Sequence, residues 1–488
     1  MSIDLVSNQE MLFQQQCVHR LRAEGFLHAF HIVTFGCQQN ENDSEKLSGI
    51  LEQAGLTHVD DYRKADLVIL NTCSVRENAD DRLFGHLGLM KNLRRDRPNV
   101  LIGLCGCMMT QDIHIDKVRK SYPFVDFLFG PQDIHRLPGI LFERLFNGKK
   151  TYLTDGADLI AEDLPVVRSR RFRALTSIMY GCNNFCAYCI VPYTRGRERS
   201  RHPDRILEEI SQLVADGFKE IMLLGQNVNS YGLDLSQAEG GNWNFARLLD
   251  AVARIPNLYR VRFMTSHPKD LSDELIDVMA ANPNIERHLH LPLQSGSSRI
   301  LKDMNRHYDR DHYQGIVQRV RALIPDISLS TDIIVGFPGE TDEDFQETLD
   351  LMTAVRFDSA FTFQYSKREG TPAAKREDQV SPVVVKERFG RLLALQNAHS
   401  LAANQAQVGK TVEVLIEGSS ETAPEILTGR GSDFRLINFR MTEPVAVQGA
   451  DGLPAITSHD DLEGRIALVR IIKAKTFSLE GELERLIG

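Results

Sequence analysis

The chain has 488 residues and a net charge of −9, with 42% hydrophobic and 25% charged residues. That length exceeds one ordinary domain, so roughly two to four are expected, and the composition is that of a soluble globular protein. The acidic balance argues against nucleic acid as a partner, and no apolar run approaches the ~20 residues of a membrane helix.

The polar N-terminus, MSIDLVSNQEMLFQQQ, lacks a basic segment followed by an apolar run, so a secretory signal is not expected. Eight cysteines in such a chain point to metal or redox chemistry rather than disulfides, and a reducing cytoplasm is the consistent location. Residues 1–28 read as a helical extension without an assigned role. From 29 to 147 strands and helices alternate. HIVTFG, DLVILNTC, VLIGLCGC and VDFLFG are the strands, which predicts a doubly wound parallel sheet. Residues 148–167, acidic and irregular, read as a linker.

A second α/β array fills 168–400. Its candidate strands are ALTSIMYG, EIMLLGQN, YRVRFMTS, HLHLPLQS, ISLSTDIIVGF and SAFTFQYS, with helices between them and a closing helix from about Pro382 to Gln407. Six strand–helix repeats predict a partial (β/α)6 barrel rather than a closed eight-stranded one. The stretch from Arg168 to Arg205 holds nine arginines against two acids, Glu198 and Asp204, a local patch suited to phosphates on an acidic protein or to a solvated loop. Residues 401–475 (TVEVLIEG, ILTGRG, FRLINF, EPVAVQ, GRIALVRIIKAKT) predict a small antiparallel β-barrel of OB type. Residues 476–488 read as a tail.

Two cysteine sets carry the chemistry. Cys182, Cys186 and Cys189 are spaced CxxxCxxC after a barrel strand, where α/β folds place their sites. Three thiolates on a [4Fe-4S] cluster leave one iron for a ligand, whereas zinc favours four ligands and paired CxxC hooks. Cys37, Cys73 and Cys107 each fall at or just after a parallel strand. Adjacent strand ends can converge on a second site, although buried cysteine is also common in α/β cores. Cys105 competes with Cys107, because alternate residues of a strand share a face. Cys17 has no motif.

The aromatic Tyr188 inside CxxxCxxC makes this loop resemble the signature of the radical S-adenosylmethionine (SAM) superfamily. That resemblance implies a SAM-binding [4Fe-4S] cluster and a (β/α)6 barrel. It implies SAM contacts at Tyr188, Gly225, Gln226, Asn227, Ser266, Gln294 and Gly336, with Gly336 and Gly339 admitting close backbone approach. TFGCQQNENDSE, NTCSVRENA, YGCNNFCAYCIVPYTRGRERSR, LLGQNVNSYG, RFMTSHP and HLHLPLQSGS together resemble the methylthiotransferases over roughly residues 29–475, with a C-terminal domain of the RNA-binding TRAM type. The resemblance implies two [4Fe-4S] clusters, the second on Cys37, Cys73 and Cys107 for sulfur transfer. Two SAM molecules and a tRNA substrate are also implied, with RNA contacts at Arg195, Arg197, Arg199, Arg201 and Arg430. Arg435, in the same loop as Arg430, shares that expectation.

FGCQQNENDSE and CSVRENADDR favour the branch acting at C2 of N(6)-isopentenyladenosine, 3′ of the anticodon. The alternatives are branches acting on threonylcarbamoyladenosine or a ribosomal-protein aspartate and, from another class, a zinc-containing RNA-binding protein without catalysis. A reductant such as flavodoxin or ferredoxin, no membrane and a monomeric state complete the expectation. The chain departs from the family at Gln39, where methionine is usual, in the run Met108–Gln111, and in the loop GRGSDFRLINF.

Overall fold

The structure, a computed structural model, describes residues 5–74, 79–154, 156, 158–235, 242–420, 423–440, 447–448 and 462–487. The chain opens with α1 (Asn8–Glu24), capped by Ser7, whose hydroxyl accepts from the Glu10 amide, and ended by Gly25 at φ +60°. The N-terminal array then runs β1 (Ala29–Thr34), α2 (Gln38–Gln53), β2 (Thr57–His58), β3 (Leu67–Thr72), α3 (Ala79–Asp96), β4 (Leu101–Gly106), α4 (Asp112–Ser121), β5 (Phe127–Phe129), α5 (Leu137–Phe146) and β6 (Thr151–Tyr152). Its strands are parallel in the order β2-β1-β3-β4-β5-β6.

Every residue of β3 and β4 is buried, because helices cover both faces, and this explains their unbroken apolar runs. The extension expected to have no role packs α1 against α5. The Gln14 side chain accepts from the Gly139 amide at 2.8 Å, and Cys17 and Leu21 are buried. The two-residue strands β2 and β6 are too short for sequence periodicity to reveal. β6 extends the sheet past residue 147.

The barrel comprises β7 (Arg173–Ser177), a small ribbon of β8 (Met179–Tyr180) and β9 (Arg199–Ser200) with α6 (Val191–Thr194) between them, α7 (Pro203–Ala215), β10 (Glu220–Leu224), α8 (Phe245–Ala253), β11 (Arg260–Phe263), α9 (Asp273–Ala281), β12 (His288–His290), α10 (Ser298–Asp303), α11 (Arg310–Leu323), β13 (Ser328–Val335), α12 (Asp342–Val355), β14 (Ser359–Gln364) and α13 (Pro382–Gln405). Two parallel three-stranded sheets, β11-β10-β7 and β12-β13-β14, meet at the bridge Val261–Ile285. β7 and β14 remain terminal strands, so the barrel is open along one seam, as six repeats predict. Ala174, Ile221, Val261, Leu289 and Leu329 face the helices in one large core.

The C-terminal domain holds β15 (Thr411–Ser420), β16 (Ala423–Gly431), β17 (Leu436–Arg440), β18 (Val447–Gln448), β19 (Ile466–Ala474) and β20 (Leu479–Ile487). The sheet order is β17-β16-β15-β19-β20-β18, and β17 also pairs with β20, which closes the barrel. That closing ladder is parallel, unlike the antiparallel hairpins. β20 lies in residues read from the sequence as a tail. Most of EPVAVQ lies outside the described residues.

The two barrels meet at the floor of the larger one. Arg262, fully buried, donates to Glu220 at 2.6 Å and pairs with Glu286, and it also reaches the Gly431 carbonyl. Phe434 inserts from the β16–β17 loop. It stacks on His288 with centroids 5.0 Å apart, between the guanidiniums of Arg262 and Arg430 at 4.9 and 4.4 Å. Its φ of +67° is a strained conformation that the surrounding contacts hold in place.

Burial outweighs the attraction of Arg262 and pushes the Glu286 carboxyl up to about 8. A raised acid pKa means that the folded state holds the extra proton, so stability falls as pH rises from the unfolded value through about 8. Glu286→Gln is expected to remove that part of the slope, measured by chemical denaturation at about pH 5 and about pH 8. Arg262→Leu is expected to cost about 3–5 kcal/mol at neutral pH by stranding the buried Glu220 carboxylate, whose pKa Arg262 helps to lower, and less in acid.

Candidate active site

The first three-thiol set forms at the carboxyl ends of β1, β3 and β4. Cys37 is the N-cap of α2, and its hydrogen bond with Cys73 together with burial holds its thiol pKa well above the ordinary value. Its backbone amide and thiol both donate to Asn40 Oδ1 at 3.4 Å. Cys73 follows β3 directly, and the Cys37 and Cys73 thiols are within hydrogen-bonding reach of each other.

Cys107 begins a short 3₁₀ turn after β4. The preceding Gly106 takes φ +98°, and a Cβ there would lie 2.3 Å from the Thr72 carbonyl oxygen, so only glycine makes this turn. The turn breaks strand alternation and separates the two competing cysteines. Cys105 stays on β4 and packs into the core under α2 and α5, whereas Cys107 turns toward the barrel. Burial raises the Cys107 thiol pKa, while the nearby Arg195 lowers it.

Arg195 joins this set to the barrel. Its Nε donates to Cys107 Sγ at 3.1 Å and its Nη2 donates to Asp43 Oδ2 at 2.8 Å, with both residues buried. Arg195, expected on RNA, meets a thiol and a carboxylate of the protein instead. The neighbouring arginines diverge too. Arg199 pairs with Asp158, Arg201 with Glu162 at 2.6 Å and Glu209 at 2.8 Å. Only Arg197 of the four is exposed; its guanidinium lies 4.5 Å from the Phe185 ring centroid. Arg430 pairs with Glu417 at 3.3 Å, and Arg435 with Asp358 and Asp433, so both are engaged within the protein.

α2 lies across the end of β7. The Gln39 amide donates to Ser177 Oγ at 2.9 Å, and the Asn42 amide donates to the Leu175 carbonyl at 2.8 Å. The glutamine at the family's usual methionine position therefore has a polar partner across the interface. In the other departing run, Met108 and Met109 are buried in the sheet's second core and Gln111 donates to Ser74 Oγ at 2.8 Å.

The second set lies on the loop after β8. Burial raises the thiol pKa of Cys182 to about 11 and that of Cys189 to about 12, and the nearby Cys186 adds to both shifts. Loss of those protons is what a bound metal centre would supply the energy for. The loop is pinned from β12–α11. Asn305 Nδ2 donates to the carbonyls of Asn184 and Phe185 at 3.2 and 3.0 Å, and the Ala187 amide donates to the Met304 carbonyl at 2.9 Å. Buried Arg306 donates to Cys186 Sγ at 3.5 Å and to the Pro292 carbonyl at 2.9 Å, and approaches Tyr188 Oη at 3.5 Å. Arg306 and Asp43 carry no spacing signal; only their partners reveal them.

The residues expected to hold SAM lie around this loop. Asn227 Nδ2 donates to Asp270 at 2.7 Å, but Asn227 Oδ1, Ser266 Oγ and His267 Nε2 are buried without a hydrogen-bond partner among the described residues. Such orphaned groups ask for a polar ligand. Thr265 and Gln294 hold φ values of +67° and +69° at adjoining strand ends, strain of the kind found at binding sites. Gln226 is half-buried. The glycines act differently from the expectation. A Cβ on Gly225 would meet Met179 at 2.7 Å, and one on Gly336, at φ +78°, would meet Val385 at 2.4 Å, so protein packing requires both. The thiols are donors of the kind an iron–sulfur cluster takes and the orphaned atoms suit a polar cofactor, while no three ligating side chains among the described residues converge tightly enough to hold a single metal ion.

Three sequence families match the chain: the radical SAM superfamily over residues 176–352, the family described as Uncharacterized protein family UPF0004 over 29–130, and the TRAM domain over 405–483. The fold is similar to that of the radical SAM methyltransferase TsrM from Kitasatospora setae, with a TM-score of 0.52 at 16% identity over 71% of this chain and 75% of that one. Among curated proteins, the tRNA-2-methylthio-N(6)-dimethylallyladenosine synthase of Acetivibrio thermocellus is 48% identical over 98% of each chain. Proteins of the same name from Clostridium botulinum and Desulforamulus reducens are 48% and 47% identical over 93% of this chain, covering 96% and 94% of their own. No helix of the described residues is long and apolar enough to cross a membrane. With identity of this level from end to end, the chain belongs to the family of tRNA-2-methylthio-N(6)-dimethylallyladenosine synthases, with an N-terminal UPF0004 domain, a radical SAM domain and a C-terminal TRAM domain.

Proposed function

We propose that this protein replaces the C2 hydrogen of N(6)-isopentenyladenosine, 3′ of a tRNA anticodon, with a methylthio group. The reading is carried by two three-thiol sets, each with two buried cysteines and one half-buried, on either side of one interdomain contact, in a chain 48% identical to proteins named for this reaction. Each set has three thiols for the four irons of a [4Fe-4S] cluster, which leaves one iron without a cysteine. When bound, one cluster with SAM supplies a deoxyadenosyl radical able to take hydrogen from an aromatic carbon, and the other supplies the sulfur, methylated at the expense of a second SAM.

The protein's own groups prepare both sites. Cys182, Cys186 and Cys189 hold the first cluster, with Arg306 placed to offset thiolate charge. Asn227 Oδ1, Ser266 Oγ and His267 Nε2 offer hydrogen bonds to the polar groups of SAM. Cys37, Cys73 and Cys107 hold the second cluster, with Arg195 in the corresponding place. Burial of the thiols keeps water from the radical. Arg197, with no carboxylate partner among the described residues, is free to meet a phosphate of the anticodon loop. An external one-electron donor such as flavodoxin or ferredoxin completes the reaction.

In cells lacking this protein, nucleoside mass spectrometry is expected to show N(6)-isopentenyladenosine without its methylthio derivative; persistence of the derivative would sink the reading. Protein reconstituted without oxygen is expected to hold about eight irons per chain, whereas zinc alone would favour a non-catalytic RNA-binding protein. Cys37→Ala should hold about four irons, lose methylthiolation and still cleave SAM. Complete loss of SAM cleavage in the folded variant would contradict the division between the sites.

A further inference from the structure

Each three-thiol set is touched by one buried guanidinium, and the two guanidiniums have different partners. Arg306 donates to Cys186 Sγ at 3.5 Å and to the Pro292 carbonyl at 2.9 Å, and it approaches the hydroxyls of Tyr188 and Tyr308 at 3.5 and 3.2 Å. Among the described residues it bonds to no carboxylate. Arg195 donates from Nε to Cys107 Sγ at 3.1 Å and from Nη2 to Asp43 Oδ2 at 2.8 Å. One planar group thus stands between a candidate cluster ligand and a carboxylate.

Both members of that pair are held from behind. Asp43 lies on α2, whose N-cap is Cys37, and its Oδ1 accepts from the Gln39 amide at 3.4 Å. Gln39 is fixed in turn on Ser177 Oγ at 2.9 Å. The Arg195 backbone amide donates to the Val191 carbonyl at 2.8 Å, and its carbonyl accepts from Arg199 at 3.2 Å. Asp43 and Arg195 are only 3% and 5% exposed, so water and salt screen neither charge well and both act at full strength on Cys107. A clamp between two domains needs only the ion pair; the Nε bond to sulfur is additional to it.

We propose that Arg195 and Asp43 together set the reduction potential of the cluster held by Cys37, Cys73 and Cys107: the guanidinium raises it and the carboxylate holds it back. The inference rests on the two-cluster reading above and concerns a property that reading leaves open. Iron–sulfur potentials respond to net charge, to hydrogen bonds on sulfur and to burial. A reduced cluster carries one more negative charge, so an N–H donor on a ligand sulfur favours reduction and a nearby anion opposes it. Arg306 acts on the other set without an opposing carboxylate. The contrast separates the potentials of two similar thiol sets, and it favours an electron from the external donor at Cys182, Cys186 and Cys189. Arg195 and Asp43 act through Cys107 and are positioning residues.

The test is a reductive titration of the cluster-loaded full chain, followed by electron paramagnetic resonance. The wild type is expected to show two potentials, and the one missing from Cys37→Ala protein belongs to the cluster beside Arg195. Asp43→Asn, which keeps the shape of the side chain, is expected to raise that potential by about 59 mV, a tenfold change in a one-electron equilibrium. Arg195→Gln is expected to lower it by a similar step, and the other potential stays in place in both variants. An Asp43→Asn protein with its iron retained and this potential unmoved or lowered overturns the inference. An equal shift of both potentials does the same, since a general loosening of the interface would produce it. Where Arg195→Gln fails to hold iron, Asp43→Asn alone decides; loss of iron from both variants makes the pair a structural clamp and overturns the inference too. A wild type with about four irons and a single potential removes the two-cluster reading itself, a failure distinct from the others.

Discussion

One buried guanidinium holds the two halves of the active region together. Arg195 belongs to the barrel, in the segment that follows the cluster loop, yet its hydrogen bonds go to Cys107 and Asp43 of the N-terminal domain. A buried cation keeps its place only while its partners stay within reach, so this contact fixes one three-thiol set relative to the other. Other polar contacts reinforce it. Lys46 donates to Tyr180 at 2.9 Å, Glu45 accepts from Arg168 at 3.2 Å, and Arg201 ties Glu162 of the linker to Glu209 of α7. The spacing of the two sites is thus set by packed side chains and does not depend on the linker's own stiffness.

The opposite end of the barrel poses a different problem. Six strands leave a seam and an open floor, and the floor carries charges that need partners. Glu220, Glu286, Arg260 and Arg262 answer one another there, and the loop from Arg430 to Arg435 covers them with backbone carbonyls and the Phe434 ring. The C-terminal domain is therefore part of the barrel's closure as well as a neighbour to it. The atypical GRGSDFRL loop gains its meaning from this role: Ser432 accepts from the Arg287 amide at 2.8 Å, and Phe434 takes a strained backbone to fill the floor.

Much of the fold was legible because its elements are long and periodic. The six barrel strands and the long helices show the expected alternation of apolar runs and amphipathic stretches. What escaped were pieces too short for a period, such as β2 and β6, and the last strand, β20, whose sequence LEGELERLI is rich in charge. A strand in a small barrel buries one face only, so its charged face conceals it.

The site divides along the same line. The sequence by itself singled out the six cysteines as candidate ligands, because CxxxCxxC is a local spacing and each member of the other set falls at or just after a recognisable strand. It also marked polar residues at the ends of the barrel strands as candidate cofactor contacts. Only the tertiary structure decided which of Cys105 and Cys107 faces the site, through the Gly106 turn. It alone decided what the arginines do: Arg195 and Arg306 meet thiols, Arg199 and Arg201 meet carboxylates, and Arg430 and Arg435 build a floor. The reason is physical. A cysteine ligand is specified by its neighbours along the chain, whereas a guanidinium at the end of a long side chain is specified by whatever charge the fold brings within its reach.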